Sequence, residues 1–273
     1  MRLCAFADEA SNDLQGQIEA LLRNNIGLLE IRGVDGENIK DISHAKIQKI
    51  KDELDKNGLK VWSLGSPMGK NDPENDFDKQ LYDFEHLMET AGILGCEKIR
   101  LFSFFTRDEK LALNRLEAFL KAAPSNITLC HENEKGIFGD TWQNCKKIHT
   151  SLPEIKAIFD PANYVQCEVD TKEAWANLNM HVDYMHIKDA LKTKQVVPCG
   201  KGYGNLKYLI SEYAKNGGEV LTLEPHLMEF YGLSDLENGE SLSLTPVFSD
   251  TNVAFDAGVK ALKETLDSLN LKY

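Results

Sequence analysis

Short runs of apolar, strand-forming residues recur along the chain. Each ends in polar side chains and is followed by a stretch with helical spacing. The runs are LCAFA (3–7), LLEIR (28–32), VWSLG (61–65), KIRLFS (98–103), ITLCH (127–131), AIFD (157–160), YMHIK (184–188) and EVLTLE (219–224). In the stretch 13–25, helical spacing gathers Leu14, Ile18, Leu21 and Leu22 on one face. In 43–58 it gathers Ile47, Ile50 and Leu54, and the pattern stops at Asn57-Gly58, a helix-end signal. The stretch 77–95 ends in the same way at Gly95, and amphipathic stretches at 112–123, 140–152, 171–178, 205–218 and 254–269 complete the series. Strict alternation of strand and helix predicts a parallel sheet with helices outside it. Eight such units in 273 residues predict one domain over residues 1–273, a single (β/α)8 TIM barrel of the α/β class. An open doubly wound sheet is the alternative. It would favour a G-x-G-x-x-G turn after the first strand, and FADEA carries none. The segment 226–250, after the eighth strand, is long enough to predict a functional loop or lid.

Composition narrows the partners. Lys and Arg total 31 against 43 Asp and Glu, a net charge of −12. Such a surface repels phosphate backbones, so no nucleic-acid partner is expected. The six cysteines are dispersed without a C-x-x-C pair, which predicts reduced thiols in a cytoplasmic protein. MRLCAFADEA turns acidic too soon for a signal peptide, and no apolar run approaches a membrane span.

A barrel of this kind carries its chemistry at the C-terminal ends of its strands. The fifth to eighth runs end in Glu132, Asp160, His186 and Glu224, each about one βα repeat from the next. Three carboxylates and one imidazole at one mouth suit a divalent cation that takes mainly oxygen ligands. Mn²⁺ or Mg²⁺ fit best, with Co²⁺, Fe²⁺ or Zn²⁺ as further candidates. Without a cation the carboxylates would repel one another and some would take up protons.

These residues also carry a likeness. Glu132-Asn133, Asp160-Pro161, HIKD (186–189) and LEP (223–225) resemble the xylose isomerase-like TIM-barrel superfamily, from FADEA at residue 5 to about residue 227. That superfamily includes D-tagatose 3-epimerase and inosose dehydratase, with apurinic endonuclease as a distant branch. The third-run segment VWSLGSPMGK (61–70) resembles uncharacterised members. The resemblance implies metal ligation by Glu132, Asp160, His186 and Glu224, and proton transfer by Glu132 and Glu224. Two departures bear on the reaction. Asn163 stands where many relatives place a histidine, and Lys188 occupies the region of an arginine that follows the metal histidine in the epimerases.

A cation chelating a carbonyl and the adjacent hydroxyl acidifies the C–H between them and stabilises an enediolate. Returning the proton to the neighbouring carbon is isomerisation, and returning it to the opposite face is epimerisation. Loss of a β-hydroxyl is dehydration. The expected function is therefore a metal-dependent isomerase or epimerase of a small sugar, keto-sugar or cyclitol. A dehydratase on the same site is the alternative, ahead of an apurinic-endonuclease-like hydrolase or a non-catalytic sugar-binding barrel. A homo-oligomer is a family-level expectation. Strand parity places Lys188 beside His186 and His226 beside Glu224, as candidates for substrate contact. Lys70 is a candidate contact for a substrate hydroxyl or phosphate, against a solvated loop lysine. Arg32 is a candidate substrate clamp, with an internal ion pair to Glu30 as the favoured reading. Asn133 is expected to support the ligands, and His131 to point outward to the helices as a hydrogen-bonded structural histidine. Trp62 and Phe104 are expected in core packing. His44, His86, His149 and His181 are expected to carry no chemistry.

Overall fold

The computed structural model describes residues 1–233 and 248–273. Eight strands form a closed barrel: β1 Arg2–Ala5, β2 Leu28–Ile31, β3 Lys60–Leu64, β4 Lys98–Leu101, β5 Thr128–Glu132, β6 Lys156–Phe159, β7 Val182–Ile187 and β8 Val220–Leu223. Each strand pairs in parallel with its sequence neighbours, and β8 closes on β1. The expected (β/α)8 barrel is the observed fold. Parallel neighbours require crossovers, and the helices supply them outside the sheet. They are α1 Leu14–Arg23, α2 His44–Lys56, α3 Phe77–Leu94, α4 Glu109–Ala122, α5 Trp142–Ser151, α6 Pro161–Gln166, α7 Thr171–Leu178, α8 Leu206–Lys215 and α9 Thr251–Ser268. Most open on a side-chain cap: Asp13, Ser43, Asp76, Asp108, Thr141, Asp160, Asp170 and Asp250 each accept a first-turn N–H. Among the described residues no helix is long and apolar enough to cross a membrane.

Strand parity divides the barrel interior into tiers. At the bottom Cys4, Cys130, Ile158, Tyr184 and Val220 pack together with Leu28 and Trp62, side chains from seven of the strands, which meet only inside the closed barrel. Two residues further along β2, β5, β6 and β7 the same face presents Glu30, Glu132, Asp160 and His186 instead. The outward faces pack against the helices in the large apolar layer that contains Leu29, Ile99, Leu129, Phe159, Met185 and Leu221. Trp62 sits at the bottom, its ring 5.1 Å from the Arg2 guanidinium carbon and 4.8 Å from Lys98 Nζ, at the end of the barrel away from the mouth. Phe104 is fully buried and stacks on Phe119, as core packing requires.

Several local expectations are corrected. Leu22 is exposed, because it falls at the edge of the α1 stripe while Gln17, Ile18, Ala20 and Leu21 are buried. Pro161 starts the short helix α6 directly after β6, since proline fits the first helical turn and Asp160 caps it. A short antiparallel pair joins Gly33–Val34 to Glu37–Asn38 after β2, and another joins Asp189–Ala190 to Val196–Val197 after β7. Of the segment expected as a loop or lid at 226–250, residues 234–247 lie outside the described residues.

Two loops fix the mouth. After β7 the buried Asp189 carboxylate accepts N–H bonds from Ala190, Gly200, Gly202 and Gly204 at 2.8–3.0 Å. After β3 the chain runs across the end of β4, where Phe102 N donates to Met68 O at 2.8 Å and Phe104 N to Gly69 O at 2.7 Å. Gly69 has φ of +79°, and a Cβ there would lie 2.1 Å from Phe102 O. Both features demand glycine. Gly69→Ala should therefore lower unfolding stability by at least about 2 kcal/mol, read from the urea midpoint at unchanged slope. Gly58→Ala, also at positive φ but with open space around it, should cost only about 1 kcal/mol.

Candidate metal centre

Glu132 ends β5, Asp160 follows β6, His186 lies in β7 and Glu224 follows β8. All four are buried, and one ligand atom from each falls within 4.8 Å of the others. The four residues read from separate strand ends thus meet at one point. His186 Nδ1 lies 2.8 Å from Glu132 Oε1 and 3.6 Å from Glu224 Oε2. The other ring nitrogen, Nε2, lies 3.2 Å from Glu30 Oε2. Glu30 is held in turn by the Tyr184 hydroxyl, which donates at 3.0 Å and also contacts Ser63 Oγ at 3.1 Å. A carboxylate behind the imidazole orients the ring and leaves Nδ1 toward the other three ligands.

Buried cations compensate these carboxylates. Arg100 is one of the largest fully buried side chains; it donates to Glu132 Oε2 at 3.1 Å and to the carbonyls of Gly65 and Ser66. Lys188 Nζ lies 3.0 Å from Asp160 Oδ2 and 3.1 Å from Glu224 Oε2. Arg32 Nη1 donates to Glu224 Oε1 at 2.9 Å, while Nε and Nη2 grip Asp8 at 2.8 and 3.0 Å. His226 Nε2 lies 3.3 Å from both Glu224 Oε1 and Glu9 Oε1, and the His226 backbone N–H donates to Glu9 Oε2 at 2.7 Å.

These neighbours set the charges. For Glu132, burial favours the neutral acid, but His186 and Arg100 outweigh it and hold the carboxyl at about 2. Burial likewise opposes ionisation of Glu224, and Lys188 and His226 pull it well below the ordinary range. At Asp160 burial prevails over Lys188, raising the acid to about 6. Burial also raises Glu9, to about 7, against His226 and Arg32. For His186 burial favours the neutral ring, but Glu132 and Glu30 overcome it and raise the group to about 10. A proton and a cation therefore compete for Nδ1.

The donor set fits a hard divalent cation: three buried carboxylates and one buried imidazole, with Asp160 Oδ2 faced by Lys188 Nζ at 3.0 Å. Asn133 aligns Asp160 through its backbone, accepting from Asp160 N and donating to Asp160 O, each at 2.9 Å. Asn163 N caps Asp160 Oδ1 at 2.9 Å, and its side chain donates to Asn133 O.

Other expectations fare unequally. Lys188 and His226 do reach Glu224, as parity requires. The favoured Glu30–Arg32 ion pair does not form: Glu30 serves His186 and Tyr184, and Arg32 turns to Asp8, Glu9 and Glu224. Lys70 is no solvated loop lysine. It is nearly buried and pairs with Glu134 at 2.8 Å. His131 faces the helices, its ring 5.6 Å from that of His149, but among the described residues neither ring nitrogen finds the expected hydrogen bond. Sequence reasoning missed Arg100, Glu9 and Asp8. The signal for Arg100 was available, as a charge in the middle of the apolar run KIRLFS.

If Glu30 orients His186, then Glu30→Gln should weaken Mn²⁺ binding about 10- to 100-fold, measured by calorimetry on protein with unchanged circular dichroism. Unaltered affinity would remove Glu30 from the centre.

Residues 22–242 match the family model described as the xylose isomerase-like TIM barrel. No curated protein matches the sequence. Among solved structures, the chain resembles a D-psicose 3-epimerase with D-tagatose from Clostridium cellulolyticum H10, at 16% identity over 98% of this chain and 99% of that one, TM-score 0.73. It also resembles the IolI protein with a bound zinc atom, at 15% identity over 98% and 99%, TM-score 0.75. A third likeness is to the probable 3-DHS dehydratase AsbF from Bacillus anthracis, at 15% identity over 96% and 99%, TM-score 0.70. At such identities the likeness to these structures is one of fold. The family match spans most of the sequence, and the chain belongs to the xylose isomerase-like TIM-barrel family.

Proposed function

We propose that the protein is a divalent-metal-dependent isomerase or epimerase of a small sugar, keto-sugar or cyclitol. The observation that carries this reading is the convergence of Glu132, Asp160, His186 and Glu224 within 4.8 Å at the barrel mouth. These four would hold the cation, and their oxygen-rich set suits Mn²⁺ or Mg²⁺, with zinc recorded in the IolI relative. When bound, it supplies Lewis-acid polarisation of a substrate carbonyl and its neighbouring hydroxyl.

The protein's own groups do the rest. Glu132 and Glu224 approach from β5 and β8, on different sides of the mouth. One is placed to remove the proton alpha to the carbonyl and the other to return it. His186 and Arg100 keep Glu132 ionised at neutral pH, the form that can act as a base. Lys188 presents N–H donors beside Asp160 and Glu224, where they can hold a substrate oxygen. Burial of the cluster excludes water and strengthens each of these contacts.

Lys188 also favours a second reading. Dehydration needs an acid for the departing hydroxyl, and a buried ammonium at the cluster is such a donor. Among solved relatives the AsbF protein is described as a probable dehydratase. A nucleic-acid substrate is opposed by the net charge of −12 and by a ligand cluster with one histidine.

The metal-loaded protein should incorporate solvent deuterium into a ketose or cyclitol, followed by NMR. Glu132→Gln and Glu224→Gln should each slow this about 10²- to 10⁴-fold. A chelator should abolish it and added Mn²⁺ or Mg²⁺ restore it. A deuterated epimer or isomer identifies the first reading, and net loss of water the second. Full activity in Glu132→Gln would sink the proposed site.

A further inference from the structure

Beside the metal cluster the mouth opens into a cavity of about 290 Å³ between the ends of β1, β2 and β3 and the chain after β8. Its wall includes Asp8, Arg32, Asn38, Asp41, Lys70 and Tyr231. The four clustered ligands lie beyond this wall, and Arg32 is the partition. One edge of its guanidinium holds Glu224 Oε1 at 2.9 Å, and the other holds Asp8 at 2.8 and 3.0 Å. A ligand reacting at the cluster would project past Arg32 into this space. Ligand pockets span about 300–1,000 Å³, so a cavity at the lower bound takes one ring rather than a whole large ligand.

The chemistry of the wall selects the ring. Both cations are already matched, Arg32 by Asp8, Glu9 and Glu224, and Lys70 by Glu134 at 2.8 Å. Asp41 and Glu37 on the same wall add negative charge. Among the described residues a phosphate or carboxylate therefore meets no unmatched positive charge on this wall. Neutral hydroxyls meet the donors and acceptors they need in the Asn38 amide and the Asp8 and Asp41 carboxylates. Tyr231 is 65% exposed although it stands against this wall. Its ring lies over Gly36, where a Cβ would sit 3.4 Å from ring Cζ. The ring offers an electron-rich face to the C–H bonds of a saturated ring.

We infer that this cavity is a subsite for a second hydroxylated ring, so that the substrate is a glycosylated sugar. The reacting ring lies at the metal cluster and the attached ring lies against Tyr231. This inference rests on the isomerase or epimerase reading. It is tested with the full chain loaded with Mn²⁺ and paired probes that share one ketose ring: D-fructose against maltulose, lactulose and isomaltulose. Solvent-deuterium exchange is followed by NMR. At least one disaccharide should show kcat/KM tenfold or more above D-fructose, and Tyr231→Ala should lower that ratio at least tenfold. A ratio near one in the unmodified protein overturns the subsite and leaves the isomerase reading standing. So does a ratio that Tyr231→Ala does not move. Exchange from none of the four sugars overturns the subsite, and it overturns the isomerase reading as well only when a wider panel of ketoses and cyclitols also shows none.

Discussion

Several carboxylates can share a buried barrel mouth only if positive charge is buried with them. Here Arg100, Arg32 and Lys188 enter from β4, β2 and β7 at inward positions, each in contact with a carboxylate of the cluster. The cations do more than neutralise. Arg100 also ties the carbonyls of Gly65 and Ser66 to Glu132, so the end of β3 is registered against β5 through one side chain. Removing such a partner would leave a carboxylate desolvated and alone, the costliest state a buried charge can occupy. The mouth is thus assembled as a unit rather than residue by residue.

The same constraint explains the gradation of the interior. An apolar floor of Cys4, Cys130, Ile158, Tyr184 and Val220 seals the barrel from below. Tyr184 turns the floor into a support, since its hydroxyl fixes Glu30, and Glu30 fixes the far side of His186. The ligand tier stands on this, and the tier of Lys188, Arg32 and His226 stands above it. A period of two along each strand carries the change from oil to ligand to cation.

That period is also why so much was legible in the sequence. The eight alternating runs specify the barrel, and Glu132, Asp160, His186 and Glu224 announce themselves as polar ends of apolar runs. Parity then places Lys188 and His226 correctly. Pairings across the barrel were a different matter. Arg32 and Glu30 are adjacent on one face of β2, so a local ion pair was the natural expectation. Each finds a better partner on a distant strand: Glu224 lies 192 residues from Arg32 and His186 lies 156 from Glu30. Partner choice of that kind depends on strand register and on the β-bulge between Leu29 and Glu30, which no linear pattern encodes. Arg100 was hidden for a related reason. A charged residue within a strand reads as an outward position until the closed barrel shows that the inside is charged too.

The Asp189 carboxylate holds the N–H groups of Gly200, Gly202 and Gly204 directly beyond the strand that carries His186 and Lys188. A Cβ on Gly202 or Gly204 would approach Asp189 Oδ1 to 2.4 or 2.8 Å, so the clamp closes only on bare backbone. The exposed tip between its two arms, Lys192–Lys194, lies outside that closure. Changes of length or sequence at the tip are therefore insulated from the strand beneath. The tip of the loop can therefore change while the strand that carries His186 and Lys188 keeps its place, a separation written into three glycines and one acid.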